Sequence, residues 1–330
     1  MKHINEFLIN KKINNKISQY QYVPKNIDEL ANNIKEVLKT GETNLNCIDV
    51  SNINNLNSLF YYYIKLTVYE EEHLDISQWD VSNVKDMGYM FVGNYDLNCD
   101  ISNWNVSNVE NMERMFEDCN NFNCNLSDWN VSNVTNMSGM FDGCGHFIGD
   151  GLENWDVSNV ENMSRMFADC HIFKGDISNW DVSNVFAFSS MFYKGYEFNT
   201  DISKWNVSEA SIFTGMFNEC TNFKVSLNDW NVSNAVNMSN MFRGCIFFNG
   251  NFDNWDVSNV KNMSNMFGHC SKFKGKGLNN WNTESLTNTS YMFLYCYEFD
   301  EDIENWNVSN INESQKMFEG ANKIPSWYSK

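Results

Sequence analysis

The sequence predicts a repeat solenoid, and three observations predict it. Tryptophan recurs at 79, 104, 129, 155, 180, 205, 230, 255, 281 and 306, in seven steps of 25 residues and two of 26. Each of these ten tryptophans is followed at a fixed distance by a Met-Phe pair, from Met90-Phe91 to Met317-Phe318. Whole phrases recur between them, of which ISNWNVSNVENMERMFEDC from Ile101 is one. Self-similarity at this period marks units that stack on their neighbours and bury one face against each other.

Composition agrees with a packed array. Of the 330 residues 42% are apolar, and 25 Phe, 14 Tyr and 11 Trp give an unusually aromatic core. Two prolines and 17 glycines argue against a linker-rich chain. The net charge of −19 speaks against nucleic acid, whose phosphates need clustered Lys and Arg, and against an anionic membrane surface. No apolar run reaches the roughly 18 residues of a spanning helix, so no membrane insertion is expected.

Residues 1–25 carry Lys2, Lys11, Lys12, Lys16 and Lys25 against Glu6 and read as a flexible basic leader. They have no apolar core of a signal peptide, so a cytoplasmic or intracellular location is expected. Residues 26–44 read as a capping helix. Ile27, Leu30, Ile34, Val37 and Leu38 share one helical face, Asn26 can serve as N-cap, and Gly41 stops the run. The helix is expected to cover the apolar N-terminal end of the stack.

Residues 45–330 hold one degenerate repeat, in which Ile48 replaces Trp, and ten regular ones, closing over about 319–330. Between Ile48 and Trp79 the step is 31 residues, and the surplus, YYYIKLTVYEEE at 61–72, is expected to bulge as a loop. Counted from each Trp, apolar residues fall at −3, 0, +2, +5, +8, +11, +12, +15 and +18. From −3 to +2, Trp and Val alternate with Asp or Asn, the period of a half-buried strand. From +5 to +12 the spacing becomes three and four, which suits a short helix. One short parallel strand and one short helix per repeat is leucine-rich-repeat-like.

The phrase WDVSNV-x-x-M-x-x-MF-x-x-C resembles the BspA-like leucine-rich-repeat proteins in their 25-residue, tryptophan-bearing form, over about residues 45–324. The resemblance implies a leucine-rich-repeat-like solenoid and, more loosely, adhesion or protein binding, with a cell-surface or secreted location as the alternative to a cytoplasmic one.

Most conspicuous residues have a packing role available. Seven of the ten cysteines, 119, 144, 170, 220, 245, 270 and 296, share offset +15 and read as a ladder of buried free thiols. Cross-rung disulfides and a metal site stay open, with Cys99 and Cys124 as the pair placed to bridge. Asn at +4 is expected to satisfy backbone groups beside the strand. Asp and Asn at −1 and +1, including Asp80, Asp156 and Asp181, form either a solvated face or a strip for a basic partner.

No phosphate loop or Ser/His/Asp grouping is present, so no enzymatic activity, cofactor or metal is expected. The function expected is protein binding or scaffolding through positions the repeat leaves free, with a protein as partner. End-to-end structural assembly is one alternative, and an enzyme with an unrecognised site is another. The candidate contacts are Tyr61, Tyr62, Tyr63 and Tyr69 of the long insertion, with Tyr193, Tyr196, Arg243, Ile246, Phe247, Tyr295 and Tyr297 at offsets +13 to +17.

Overall fold

The computed structural model describes residues 20–328, so most of the expected basic leader lies outside the described residues. Helix α1, Ile27–Leu38, forms where the apolar spacing places it. The Asn26 side chain accepts the Glu29 N–H, and Leu30, Ala31, Ile34 and Val37 are buried. Tyr22 pairs with Ile48 of the degenerate repeat, which ties the entry of the chain to the first rung.

Each regular repeat is a closed circuit of tight turns. In repeat 1, the Trp79 N–H donates to Ile76, Val84 to Val81, Met90 to Met87, Asn94 to Phe91 and Leu97 to Asn94. Every one is an i to i+3 bond, and the apolar offsets are the first and last residues of these turns. Side-chain caps fix the corners. The Asp or Asn at +1 accepts the N–H of +3 in all ten repeats, as Asp80 does from Ser82 and Asn307 from Ser309. Such caps favour turns over regular structure.

Rungs join through one side of the circuit. The N–H groups of Met87, Tyr89, Phe91 and Gly93 donate to the carbonyls of Asn111, Glu113, Met115 and Glu117 in the next repeat, at 2.8–3.0 Å. A column of single parallel bridges follows from Asn55 through Asp86, Asn111 and Asn136 to Glu313. The other sides are joined mainly by side chains, with scattered backbone bonds such as Asn121 N–H to Tyr95 at 3.1 Å. Each Trp Nε1–H donates to the −3 carbonyl of the preceding repeat, as Trp104 does to Ile76 at 3.1 Å. Asn at +4 donates to the preceding +3 carbonyl, as Asn108 does to Ser82 at 2.7 Å. The seven +15 thiols donate to the preceding +12 carbonyl, Cys119 to Phe91 at 3.0 Å among them.

This corrects the expected fold class. Among the described residues there is no strand and no sheet, so the chain is not a strand-based, leucine-rich-repeat-like solenoid. The stretch read as a strand, −3 to +2, is one turn and the start of the next, and the stretch read as a helix, +5 to +12, is the backbone-bonded side. A spacing of three belongs to a β-turn as much as to a helix. What excludes the helix is a left-handed residue at +10 and another at +14 of each repeat. Arg165 (φ 60) with Asp169 (φ 54), and Ser190 (φ 54) with Lys194 (φ 55), are two such pairs.

Inside, the +12 phenylalanines form one continuous stack from Phe60 to Phe318, with centroids 5.2–5.9 Å apart. From repeat 2 to repeat 9 the +18 phenylalanine packs on it at 3.8–4.4 Å. All ten repeat tryptophans are at most 5% exposed. Trp327 extends their column outside the period, donating to Ile303 at 3.1 Å and stacking on Trp306.

The two 26-residue steps each spend the extra residue on a left-handed glycine and a 3-10 turn, Leu152–Asn154 and Leu278–Asn280. Gly151 (φ +89) and Gly277 (φ +91) leave no room for a Cβ, which would collide with the backbone amides of Ser127 and Asp253.

Candidate interaction edge

Offsets +13 to +17 form the corner between the left-handed residue at +14 and the buried +18 aromatic. Their backbone is fixed by the turns on either side; +15 faces the core, whereas +16 and +17 vary in residue type and are mostly solvent-accessible. The sequence-predicted contacts fall in two groups, one in the insertion at the N-terminal end and one along this corner.

The first group is at the N-terminal end. The insertion is not a plain loop. It holds a π-helical turn, Leu59–Tyr63, and helix α2, Val68–His73, closed by a Thr67–Glu70 capping box. Glu71 of α2 is 8% exposed and accepts the Asp96 N–H at 2.8 Å, which pins the insertion beside repeat 1. Burial raises the Glu71 carboxyl above its ordinary range. Tyr61, Tyr62 and Tyr69 are exposed, and Tyr69 stacks on His73. Tyr62 and the half-buried Tyr63 line a hollow of about 510 Å³ shared with Lys25 and Asn52 at the foot of α1.

The second group spans repeats 5 to 9. Tyr196, Arg243 and Ile246 line a hollow of about 410 Å³ together with Glu219, Thr221, Gly244, His269 and Ser271. Arg243 pairs with Glu219 at 2.8 Å. His269 is held below its ordinary pKa by burial and then by Arg243, so its imidazole is neutral at pH 7. Tyr196 stacks on His171 at 5.1 Å, and Lys224 lies over the exposed Phe247 ring. Tyr297, 61% exposed, stands beside Tyr295, which packs edge-on against His269. Tyr193 and Tyr295 are half-buried, and Tyr193 lies under Lys194, so these two partly serve the stack itself.

Tyr95, 56% exposed at +16 of repeat 1, belongs to the same edge and was missed by sequence reasoning. So were Glu219, Thr221, His269 and Ser271. Their signal was the offset, read across successive repeats, and not the residue type.

The cysteines and aspartates are absorbed by the fold. All ten cysteines are free thiols, and the seven at +15 are fully buried. Burial raises their pKa, which keeps them protonated as donors. The Asp80, Asp156 and Asp181 carboxylates are exposed but each accepts a turn N–H two residues on. Among the described residues no three His, Cys, Asp or Glu side chains converge as a metal site, and no helix is long and apolar enough to cross a membrane.

The fold and this edge define a tandem-repeat protein whose rungs are built from turns and whose variable corner faces outward. The family described as "Mycoplasma protein of unknown function, DUF285" matches residues 25–150, 145–252 and 213–329, and the chain belongs to it. No curated protein matches the chain.

Proposed function

We propose that the protein is a non-enzymatic binding or scaffold protein that recognises a protein partner through the +13 to +17 edge of repeats 5 to 9. The observation that carries this is an exposed aromatic and aliphatic row outside the packing set. Tyr196, Ile246, Phe247 and Tyr297 are 36–61% exposed, in a molecule whose repeated apolar positions are otherwise buried. Tyr and Arg supply much of the energy of protein interfaces when desolvated. The likeness of the repeat words to BspA-like proteins supports the same class, adhesion or protein binding.

Proximity labelling in the native cell tests it, with the wild-type chain compared against a Tyr196→Ala, Phe247→Ala, Tyr297→Ala variant. The reading expects the variant to keep its thermal stability and lose specific neighbours. An Asp80→Asn, Asp156→Asn, Asp181→Asn variant is the control. If that control alone loses the neighbours, the contact face is the wrong one. If both variants keep them, the contact lies elsewhere, with the 61–72 insertion the next segment to alter.

A further inference from the structure

Along offset +16 from repeat 5 to repeat 9 the side chains run Tyr196, Thr221, Ile246, Ser271, Tyr297. Large alternates with small. The three large ones are exposed, while Thr221 and Ser271 are half-buried and, with Tyr196 and Ile246, line a single hollow of about 410 Å³ that runs from repeat 5 to repeat 8. The result is a row of knobs on every second rung with small residues between them, a period of about 10 Å if neighbouring rungs keep the spacing of hydrogen-bonded strands.

We propose that this row is a contact between two copies of the chain, related by a two-fold axis across the column, with the knobs Ile246 and Tyr297 of each copy set against small residues of the other. The inference rests on the edge being a partner-binding surface. Two observations favour a second copy as the occupant. The first is order. Large and small alternate rung by rung, so a two-fold axis placed between two rungs sets a large residue of each copy against a small one of the other, and a second copy shares the rung spacing and stays in register. Two turns of a helix, about 10.8 Å, drift out of step with it.

The second is charge. A chain of net charge −19 repels itself over most of its surface. Offsets +13 to +17 of repeats 1 to 4 carry acidic residues with no Lys or Arg, whereas in repeats 5 to 9 Lys194, Arg243 and Lys272 balance Glu197, Glu219 and Glu298. The knobs stand on the neutral half of the edge, where two copies can approach. An axis between repeats 7 and 8 sets Ile246 of each copy against Ser271 of the other and Tyr297 against Thr221.

Sedimentation equilibrium of the full chain over a range of concentrations tests this. The wild type is expected to show a dimer that grows with concentration. Ile246→Ser, which removes a knob, and Ser271→Ile, which fills a hollow, should each weaken the dimer by at least about tenfold, or 1.4 kcal/mol. The double variant exchanges knob and hollow across the axis and should restore it. Thermal unfolding of each variant confirms that the stack is intact. A wild type that stays monomeric throughout overturns the proposal, as does a dimer indifferent to both single changes or a double variant that fails to recover. A monomeric wild type that still loses its cellular neighbours on Tyr196→Ala, Phe247→Ala, Tyr297→Ala would sink the dimer and leave the partner-binding edge standing.

Discussion

Replacing Ser190 by glycine should stabilise the protein, and the sign of that change separates stacked turns from a helix. Ser190 sits at +10 of repeat 5 with φ 54, a conformation that costs a non-glycine residue roughly 1–2 kcal/mol. Its N–H donates to Thr214 at 2.8 Å, a bond that glycine keeps. Glycine gives back about 0.5–1 kcal/mol through the greater freedom of its unfolded chain. The net expectation is a gain of about 0.5–1 kcal/mol. Gly139 and Gly215 already occupy the same offset with φ 63 and φ 62. In a helix interior, glycine would instead cost up to about 1 kcal/mol. The companion Ser190→Val places a β-branched side chain in the left-handed region and should lose about 2 kcal/mol or more. Urea unfolding at matched slope reads both changes. A glycine variant less stable than wild type, with valine harmless, would refute the turn assignment.

Four further outcomes follow from the same geometry. Trp205→Ala opens a cavity at a site 3% exposed and removes the 3.0 Å bond to Ile177, so it should cost about 4–6 kcal/mol in chemical unfolding. Tyr297→Ala, at an exposed position, should stay within about 0.5 kcal/mol of wild type. The seven +15 thiols should react with a thiol reagent only after denaturation, because burial holds them protonated, and rapid native labelling of several would contradict their place in the core. Asp100, Asp156 and Asp176 are held below the usual carboxylate range by the Ser102, Ser158 and Ser178 hydroxyls and then by the turn N–H groups. A depressed folded-state pKa contributes stability above the unfolded value, near 3.9, that is lost as pH falls through the folded value. Thermal stability should therefore decline below about pH 4, and an Asp100→Asn, Asp156→Asn, Asp176→Asn variant should show a smaller decline.

The repeat, its period and its inward-facing positions were legible in the sequence because stacking forces identical side chains into one column. Trp, Met-Phe, Cys and Asn each fall where their spacing placed them, and Asn26 caps α1 as its position suggests. The local backbone was not legible, because an apolar spacing of three is shared by helices and turns. The clue lay in the polar residues. Asp or Asn at +1 followed by Ser at +3 is a turn-capping pair, and it recurs more faithfully than any helix signal. The repeat leaves +16 and +17 free to vary, which is why Tyr196, Ile246 and Tyr297 stand out in the sequence. The small residues between them carry no signal of their own, so Thr221 and Ser271 emerge only once the rungs are stacked.

Hydrogen exchange resolved by residue tests the stacked-turn architecture most directly. The amides that join rungs, those at +8, +10, +12 and +14 such as Met87, Tyr89, Phe91 and Gly93, should exchange slowest, with protection approaching that of global unfolding. The +3 amides, held only by exposed turn-capping side chains such as Asp80 and Asn105, should exchange fast. Protection centred on offsets −2 to +2, with the +8 to +14 amides exchanging freely, would contradict the account and return the strand to the tryptophan side.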